Sequence, residues 1–275
     1  MKKYFAALAA LLMIVVSCFS GCASKKEEET NTFIVGMECN YAPFNWTQTE
    51  KTNTSVPIDG VDGYADGYDV RLAKMIADGL GKELVIKKIE WDGLSLAVES
   101  GSIDAIIAGM SPTAERKISI EFSDPYFVSD IVILVKKGGA YETATSLADF
   151  SGAKITAQLN TLHYGLIDQI SGVSKQTAME TYPAMIVAVQ SGKIDGCIFD
   201  YVGAVAACMA NDDIAFISFA EGKGFDVSMD EIAVSVGLKK GSDYTADINK
   251  ILEDLSEEER EEIMDAAIAA QPLSE

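Results

Sequence analysis

The chain has 275 residues, of which 48% are hydrophobic and 23% charged, and 42 Asp and Glu stand against 22 Lys and Arg for a net charge of −20. This composition excludes a disordered chain, because it holds enough apolar surface to bury a core. The acidic balance excludes a nucleic-acid binder, which needs a basic face to neutralise phosphates.

Residues 1–21 read as a lipoprotein signal peptide. Lys2 and Lys3 precede the apolar run "YFAALAALLMIVVSCF", which is too short and wrongly flanked for a spanning helix. "FSGC" (19–22) resembles a bacterial lipobox, with Phe19 where leucine is usual. It implies that Cys22 is lipidated and becomes the mature N-terminus; in an ordinary secretory signal Cys22 would be one residue among others. Residues 22–31 then form a polar tether ("ASKKEEETN" after the cysteine), and two acyl chains suffice for stable anchoring on the outer face of the cytoplasmic membrane. The remaining cysteines, Cys39, Cys197 and Cys208, are odd in number and lack metal-ligand spacing, which favours free, mostly buried thiols.

"TFIVGM" (32–37) predicts a first strand. "YDVRLAKMIADGL" (68–80) places Leu72, Met75, Ile76 and Leu80 on one helical face, and Gly81 ends it. "ELVIKKIE" (83–90) is a strand, "DGLSLAVESG" a short helix with Leu94, Ala97 and Val98 inward, and "IDAIIAG" (103–109) a buried strand. The alternation predicts an α/β fold with parallel strands. A second series follows "SDPYF": strand 130–137, a short helix at "SLADFSG", strand "AKITAQ", and helix 161–170. Helix–turn–strand over 182–200, helix "VGAVAACMA", strand "IAFISF", strand 231–241 and one or two terminal helices complete it. "AVESGSID" (97–104) and "AVQSGKID" (188–195) share the pattern A-V-x-S-G-x-I-D, which reads as equivalent positions in two similar α/β lobes. Such a pair leaves a cleft at the C-terminal ends of the strands, where open α/β sheets bind ligands. The polar loop 49–67 does not match the order of a calcium loop, and neither a metal nor a cofactor is expected.

The chain has neither G-x-x-x-x-G-K-[ST] nor G-x-S-x-G, and its one histidine is His163. What it does have suits a small zwitterion. Arg116 offers a planar fork that grips a carboxylate with two hydrogen bonds. Ser111 and the backbone of the loop from Gly109 can share that carboxylate. Thr161 follows a strand and opens a helix, so its N–H, its hydroxyl and the helix dipole favour the same anion. Asp200 ends the strand "DGCIFD" and can take the donors of an α-ammonium; its alternative role is the N-cap of helix 201–209. Tyr41 and Trp91 can stack on a ligand's carbon chain or belong to the core.

"NYAPF" (40–44), "GYDVRLAKMIADGLG" (67–81), "WDGLSLAVESGSIDAIIAGMSPTAERK" (91–117), "FSDPYF" (122–127) and "SGKIDGCIFD" (191–200) resemble, in this order, the type II periplasmic solute-binding proteins of polar amino-acid ABC transporters, over nearly all of 32–270. The resemblance implies two lobes, residues 32–128 with 232–275 and residues 129–231, joined by a two-strand hinge with the ligand cleft between them. It implies that Arg116 grips the α-carboxylate with Ser111 and Thr161 as helpers, that Asp200 holds the α-amine, and that Tyr41 and Trp91 sandwich the side chain. Glu38 falls where binders of basic amino acids carry an acid. Asn160-Thr161-Leu162 replaces the family's G-T-T or G-S-T, which changes the backbone options at 160 and leaves only a backbone N–H at 162. The implied partners are a free amino acid (lysine or arginine, then histidine), an ABC permease and, through the lipid, the membrane; the implied state is a monomer. Other readings remain open: a neutral polar ligand such as glutamine, a cyclohexadienyl dehydratase-like enzyme using Glu38 or His163, and a receptor's sensor domain.

Overall fold

A computed structural model describes residues 31–272. The lipidation site at Cys22 and the signal peptide lie outside the described residues. In chain order the strands are β1 (Thr32–Met37), β2 (Asn40–Tyr41), β3 (Asn45–Gln48), β4 (Val56–Pro57), β5 (Tyr64–Asp66), β6 (Glu83–Lys88) and β7 (Ala105–Ile106). They continue as β8 (Ile120–Val128), β9 (Ile131–Lys136), β10 (Lys154–Thr156), β11 (Ser174–Lys175), β12 (Gly196–Asp200), β13 (Ile214–Ile217) and β14 (Ala233–Lys239). Two five-stranded sheets result, ordered β6-β1-β7-β14-β8 and β11-β10-β12-β9-β13, with a smaller sheet β2-β3-β5-β4.

The two large sheets are built alike. Three strands run parallel in each (β6-β1-β7 and β11-β10-β12), and the remaining neighbours pair antiparallel. The sequence reading of parallel strands therefore holds for the βαβ portions. The antiparallel members include β8, β9 and β14, at or beside the places where the chain leaves one sheet for the other. Central strands are continuous apolar runs because both faces are covered: all five residues of β12 are buried, as are six of the seven in β14.

Helix α1 (Tyr68–Gly79) buries Val70, Leu72, Ala73, Ile76 and Ala77, which recur at helical spacing. Met75, expected on that face, is exposed instead. The repeated A-V-x-S-G-x-I-D phrase occupies equivalent places. Helix α2 (Leu94–Ser100) is capped by Gly101 at φ 77°, and a later helix, Tyr182–Gln190, is followed by Gly192 at φ 70°. After each glycine comes an aspartate whose carboxylate accepts a backbone N–H from the neighbouring strand: Ile34 N to Asp104 Oδ2 at 2.7 Å, and Lys154 N to Asp195 Oδ2 at 2.8 Å.

The polar stretch 49–67 forms β4 and β5 of the small sheet rather than only a loop. Asp66, one of its aspartates, is buried. It accepts from Thr52, Thr54 and the Gly67 N–H and pairs with Arg71 at 3.5 Å.

Candidate functional site

The candidate residues stand where strands of the first large sheet end. Glu38 and Tyr41 follow β1 across a corner at Cys39, which adopts φ 55°. Gly109 follows β7 at φ 60°, where glycine is favoured, and a Cβ there would meet the Tyr41 ring at 2.9 Å. The loop from Gly109 leads to Arg116, the first residue of helix α3 (Arg116–Ser119). The guanidinium donates from Nη1 to the Ser111 carbonyl at 2.8 Å and from Nη2 to the Asn160 carbonyl at 2.7 Å, and it lies 4.9 Å over the Trp91 ring. Burial pushes its pKa down to about 10, partly offset by Glu115, so it stays cationic at neutral pH.

The second sheet supplies the opposing groups. Thr161 caps helix α4 (Leu162–Leu166): its hydroxyl accepts from Tyr164 N at 3.4 Å and donates to the Gln158 carbonyl at 2.7 Å. Helix α5 (Tyr182–Gln190) begins with Tyr182, and helix α6 (Tyr201–Ala210) is capped by Asp200, which accepts the Gly203 N–H at 2.8 Å. Asp200 therefore fills the N-cap role and is also 5% exposed beside the Tyr41 hydroxyl, which donates to its Oδ2. Burial raises the Asp200 carboxyl above its ordinary range, against the pull of those two bonds.

Glu38 is 2% exposed. Its Oε1 accepts from Gln158 Nε2 at 3.0 Å across the two sheets, while Oε2 has no partner. Burial raises the Glu38 carboxyl to about 7; the Gln158 bond opposes this, Glu90 and Asp92 add to it, and Lys88 lowers it. A carboxyl half-satisfied in a dry place invites a cation. His163 is pushed down to about 4, first by burial and then by Arg116, and is therefore neutral at physiological pH.

Two spaces adjoin most of these groups, and Glu38 lines neither of the two. A groove of about 610 Å³ runs past Trp91, Arg116, Asn160 and Thr161. A tight cavity of about 20 Å³ touches Tyr41, Gly109, Ser111, His163 and Asp200. The structure thus brings Arg116, Ser111 and Trp91 together, and Tyr41 with Asp200. It does not bring the two expected aromatic rings face to face. Tyr41 stacks on Tyr182, with centroids 3.9 Å apart and planes within 5°, while Trp91 lies under Arg116.

Three cross-sheet partners escaped sequence reasoning: Tyr182, Gln158 and Asn160, whose side chain donates to Asp92 at 2.9 Å. Tyr182 reads as the start of a helix, Gln158 as the last residue of a strand, and Asn160 as a lost glycine. Asn160 takes φ 55°, so asparagine serves in a conformation glycine adopts freely. The described cysteines Cys39, Cys197 and Cys208 are free, as expected.

Residues 33–268 match the bacterial extracellular solute-binding proteins, family 3. The arginine-binding extracellular protein ArtP of Bacillus subtilis is 25% identical over 269 residues, covering 94% of each chain. The L-cystine-binding protein TcyJ of Escherichia coli is 30% identical over 232 residues, covering 82% of this chain and 80% of that one. Among solved structures, the substrate-binding protein AbpA of an amino acid ABC transporter from Streptococcus pneumoniae, bound to L-arginine, superposes with a TM-score of 0.74 at 26% identity, over 87% of this chain and 95% of that one. With its motifs, its sheet architecture and a match across most of its length, the chain belongs to the bacterial extracellular solute-binding proteins of family 3.

Proposed function

We propose that this protein captures a free amino acid with a cationic side chain, arginine or lysine before histidine, outside the cytoplasm and delivers it to an ABC importer. The observation that carries the specificity is Glu38, buried with one carboxylate oxygen unpartnered. Arg116 and Asp200 offer groups of opposite sign that suit the ligand's own α-carboxylate and α-ammonium. They cancel, so discrimination falls to the side-chain end, where a cation would relieve the cost of an ionised Glu38. The ligand's carboxylate would replace the Asn160 carbonyl on the Arg116 fork, and it would accept two charge-assisted bonds where a carbonyl accepts one. The sheets that share this site act as two lobes, 32–128 with 232–275 and 129–231, that close on the ligand by hinge motion.

No bond is made or broken at the site. A dehydratase would use Glu38 or His163 as its general acid; His163 is neutral and hydrogen-bonded to the Tyr182 hydroxyl at 3.4 Å, and Glu38 is held by Gln158 and serves in this reading as the partner of the ligand's cation. The protein works as a monomer, held at the outer face of the cytoplasmic membrane by a lipid on Cys22. Among the described residues no helix is long and apolar enough to cross a membrane. Calorimetry with arginine, lysine, histidine, glutamine and cystine on wild type and Glu38→Gln tests the reading. Arginine or lysine should bind wild type most tightly and lose most in Glu38→Gln. Preference for glutamine or cystine, or an unchanged arginine affinity in the variant, would overturn the cationic specificity.

A further inference from the structure

Glu38 and the loop that carries Ser111 and Arg116 lie on different strands, yet one buried chain of hydrogen bonds holds both. The Cys39 N–H, directly after Glu38, donates to Asn45 Oδ1 at 2.8 Å. The Asn45 amide donates to Asp69 Oδ2 at 2.8 Å. From the other side, the Gly109 N–H donates to the Tyr126 hydroxyl at 2.9 Å, and that hydroxyl donates to Asp69 Oδ1 at 2.8 Å. The two backbone groups at the ends of this chain belong to the two left-handed corners, Cys39 at φ 55° and Gly109 at φ 60°. Asp69, Asn45 and Tyr126 are fully buried, so water does not substitute for a lost partner.

We propose that Asp69 is a positioning residue: its two carboxylate oxygens fix the corners at Cys39 and Gly109 relative to one another, and so set the distance between the side-chain acid Glu38 and the carboxylate grip at Arg116. Only a group with two acceptors at this point satisfies the chain. Asn45 must turn its oxygen to Cys39 and hence its NH₂ toward Asp69, while the Tyr126 hydroxyl, accepting from Gly109, must spend its hydrogen on Asp69. An asparagine at 69 presents one acceptor and one donor, so one of the two corners loses its hold. Burial raises the Asp69 carboxyl to about 7, and the Asn45 and Tyr126 bonds to its ionised, two-acceptor form pull against that. The inference rests on the amino-acid site proposed above.

Exchanging the two side-chain types restores the chain of donors and acceptors. In the double variant Asn45→Asp with Asp69→Asn, the carboxylate at 45 accepts from both Cys39 and the new amide, whose oxygen accepts from Tyr126. Every donor is again satisfied with nearly the same atoms in place. Arginine affinity by calorimetry and amide hydrogen exchange at Cys39 and Gly109 are measured on Asp69→Asn, Tyr126→Phe, the double variant, Ser123→Ala and Arg116→Ala. Ser123 supplies a remote control: its buried hydroxyl joins Val236 N to the Asp124 carbonyl. Asp69→Asn should weaken arginine binding by about tenfold, or ~1.4 kcal/mol, and speed exchange at one of the two corner amides. The double variant should restore both, and Ser123→Ala should lower the melting temperature without changing affinity. An Asp69→Asn protein that binds like wild type, or a double variant as impaired as the single, overturns the proposal. If Asp69→Asn does not fold, Tyr126→Phe decides: unchanged affinity and unchanged exchange at Gly109 overturn it. If Arg116→Ala binds arginine normally, the site reading fails, and corner exchange alone then judges the clamp.

Discussion

At the scale of single residues, Glu38 makes the sharpest demand on solution chemistry. Its carboxyl is raised from 4.5 to about 7 by burial. A carboxyl raised on folding binds its proton more tightly in the native chain, so it contributes stability at low pH that is lost as pH climbs from about 4.5 through about 7. Asp69, raised from 3.8 to about 7, acts with the same sign in an overlapping window. The melting temperature of the ligand-free protein should therefore fall between about pH 5 and 7, and Glu38→Gln should remove part of that slope. Arginine affinity should rise over the same interval, because Gln158, Lys88, Glu90, Asp92 and Tyr182 surround a carboxyl that must ionise to meet a cation. A calorimetric Kd for arginine that is flat from pH 5 to 8, with no proton released on binding, would contradict this. Arg116→Ala removes one side of a charge pair in a half-buried setting, and should cost roughly 3–5 kcal/mol of binding, a hundredfold or more in Kd, with little change in melting. The places of Thr161 and Asp200 between a strand's end and a helix's start were legible in the sequence because that pattern is local, while the ligand roles given to Arg116, Asp200, Ser111 and Thr161 came through the family resemblance. Gln158, Tyr182 and the clamp at Asp69 were not, because their partners stand 120, 141 and 57 residues away and no local pattern encodes such a meeting.

Secondary-structure elements show where local sequence suffices and where it fails. The repeated A-V-x-S-G-x-I-D phrase marked two equivalent helix–glycine–strand units, and its aspartates do equivalent work on Ile34 and Lys154. Asp104→Ala or Asp195→Ala leaves a strand N–H without its carboxylate. Each should cost about 1–3 kcal/mol of stability without altering arginine affinity, read by denaturant unfolding and calorimetry together. A loss confined to affinity would mean that these aspartates belong to the cleft. The small sheet β2-β3-β5-β4 escaped notice because its strands have two to four residues and polar threonine, glutamine and aspartate within or between them, so no alternation rises above the loop composition. Tertiary contacts hold it: Tyr41, Trp46 and Ala65 are buried in the core, and Thr52, Thr54 and Arg71 converge on Asp66. Gly109→Ala probes the link between an element's end and the site. The new Cβ would press on the Tyr41 ring at 2.9 Å in a backbone region unsuited to alanine. Both melting temperature and arginine affinity should drop, and a variant with native affinity would show that Tyr41 yields without consequence.

Across the whole molecule, the C-terminal segment ties together parts that sequence distance keeps apart. Helix α7 (Glu257–Ala270) packs against α1 on the first sheet, and Arg260 reaches the Pro125 carbonyl on β8 at 2.9 Å. One residue past this helix, Gln271 is buried and donates from Nε2 to the Ala206 carbonyl at 3.0 Å, in the middle of α6 on the second sheet. This bond bridges the two sheets on a different element from those that carry Glu38–Gln158 and Arg116–Asn160. If the sheets separate as lobes when ligand leaves, the Gln271 bond breaks with the cleft contacts and re-forms on closure. A neutral buried hydrogen bond contributes about 0.5–1.5 kcal/mol net. Gln271→Ala should therefore weaken arginine binding by roughly threefold to tenfold, chiefly through faster release, since the residue touches none of the candidate ligand groups. Stopped-flow dissociation on wild type and variant reads this directly, and small-angle scattering without ligand should register a larger radius of gyration for Gln271→Ala. Unchanged release together with lowered global stability would place Gln271 in the packing of the terminal helix alone and remove it from the closing motion.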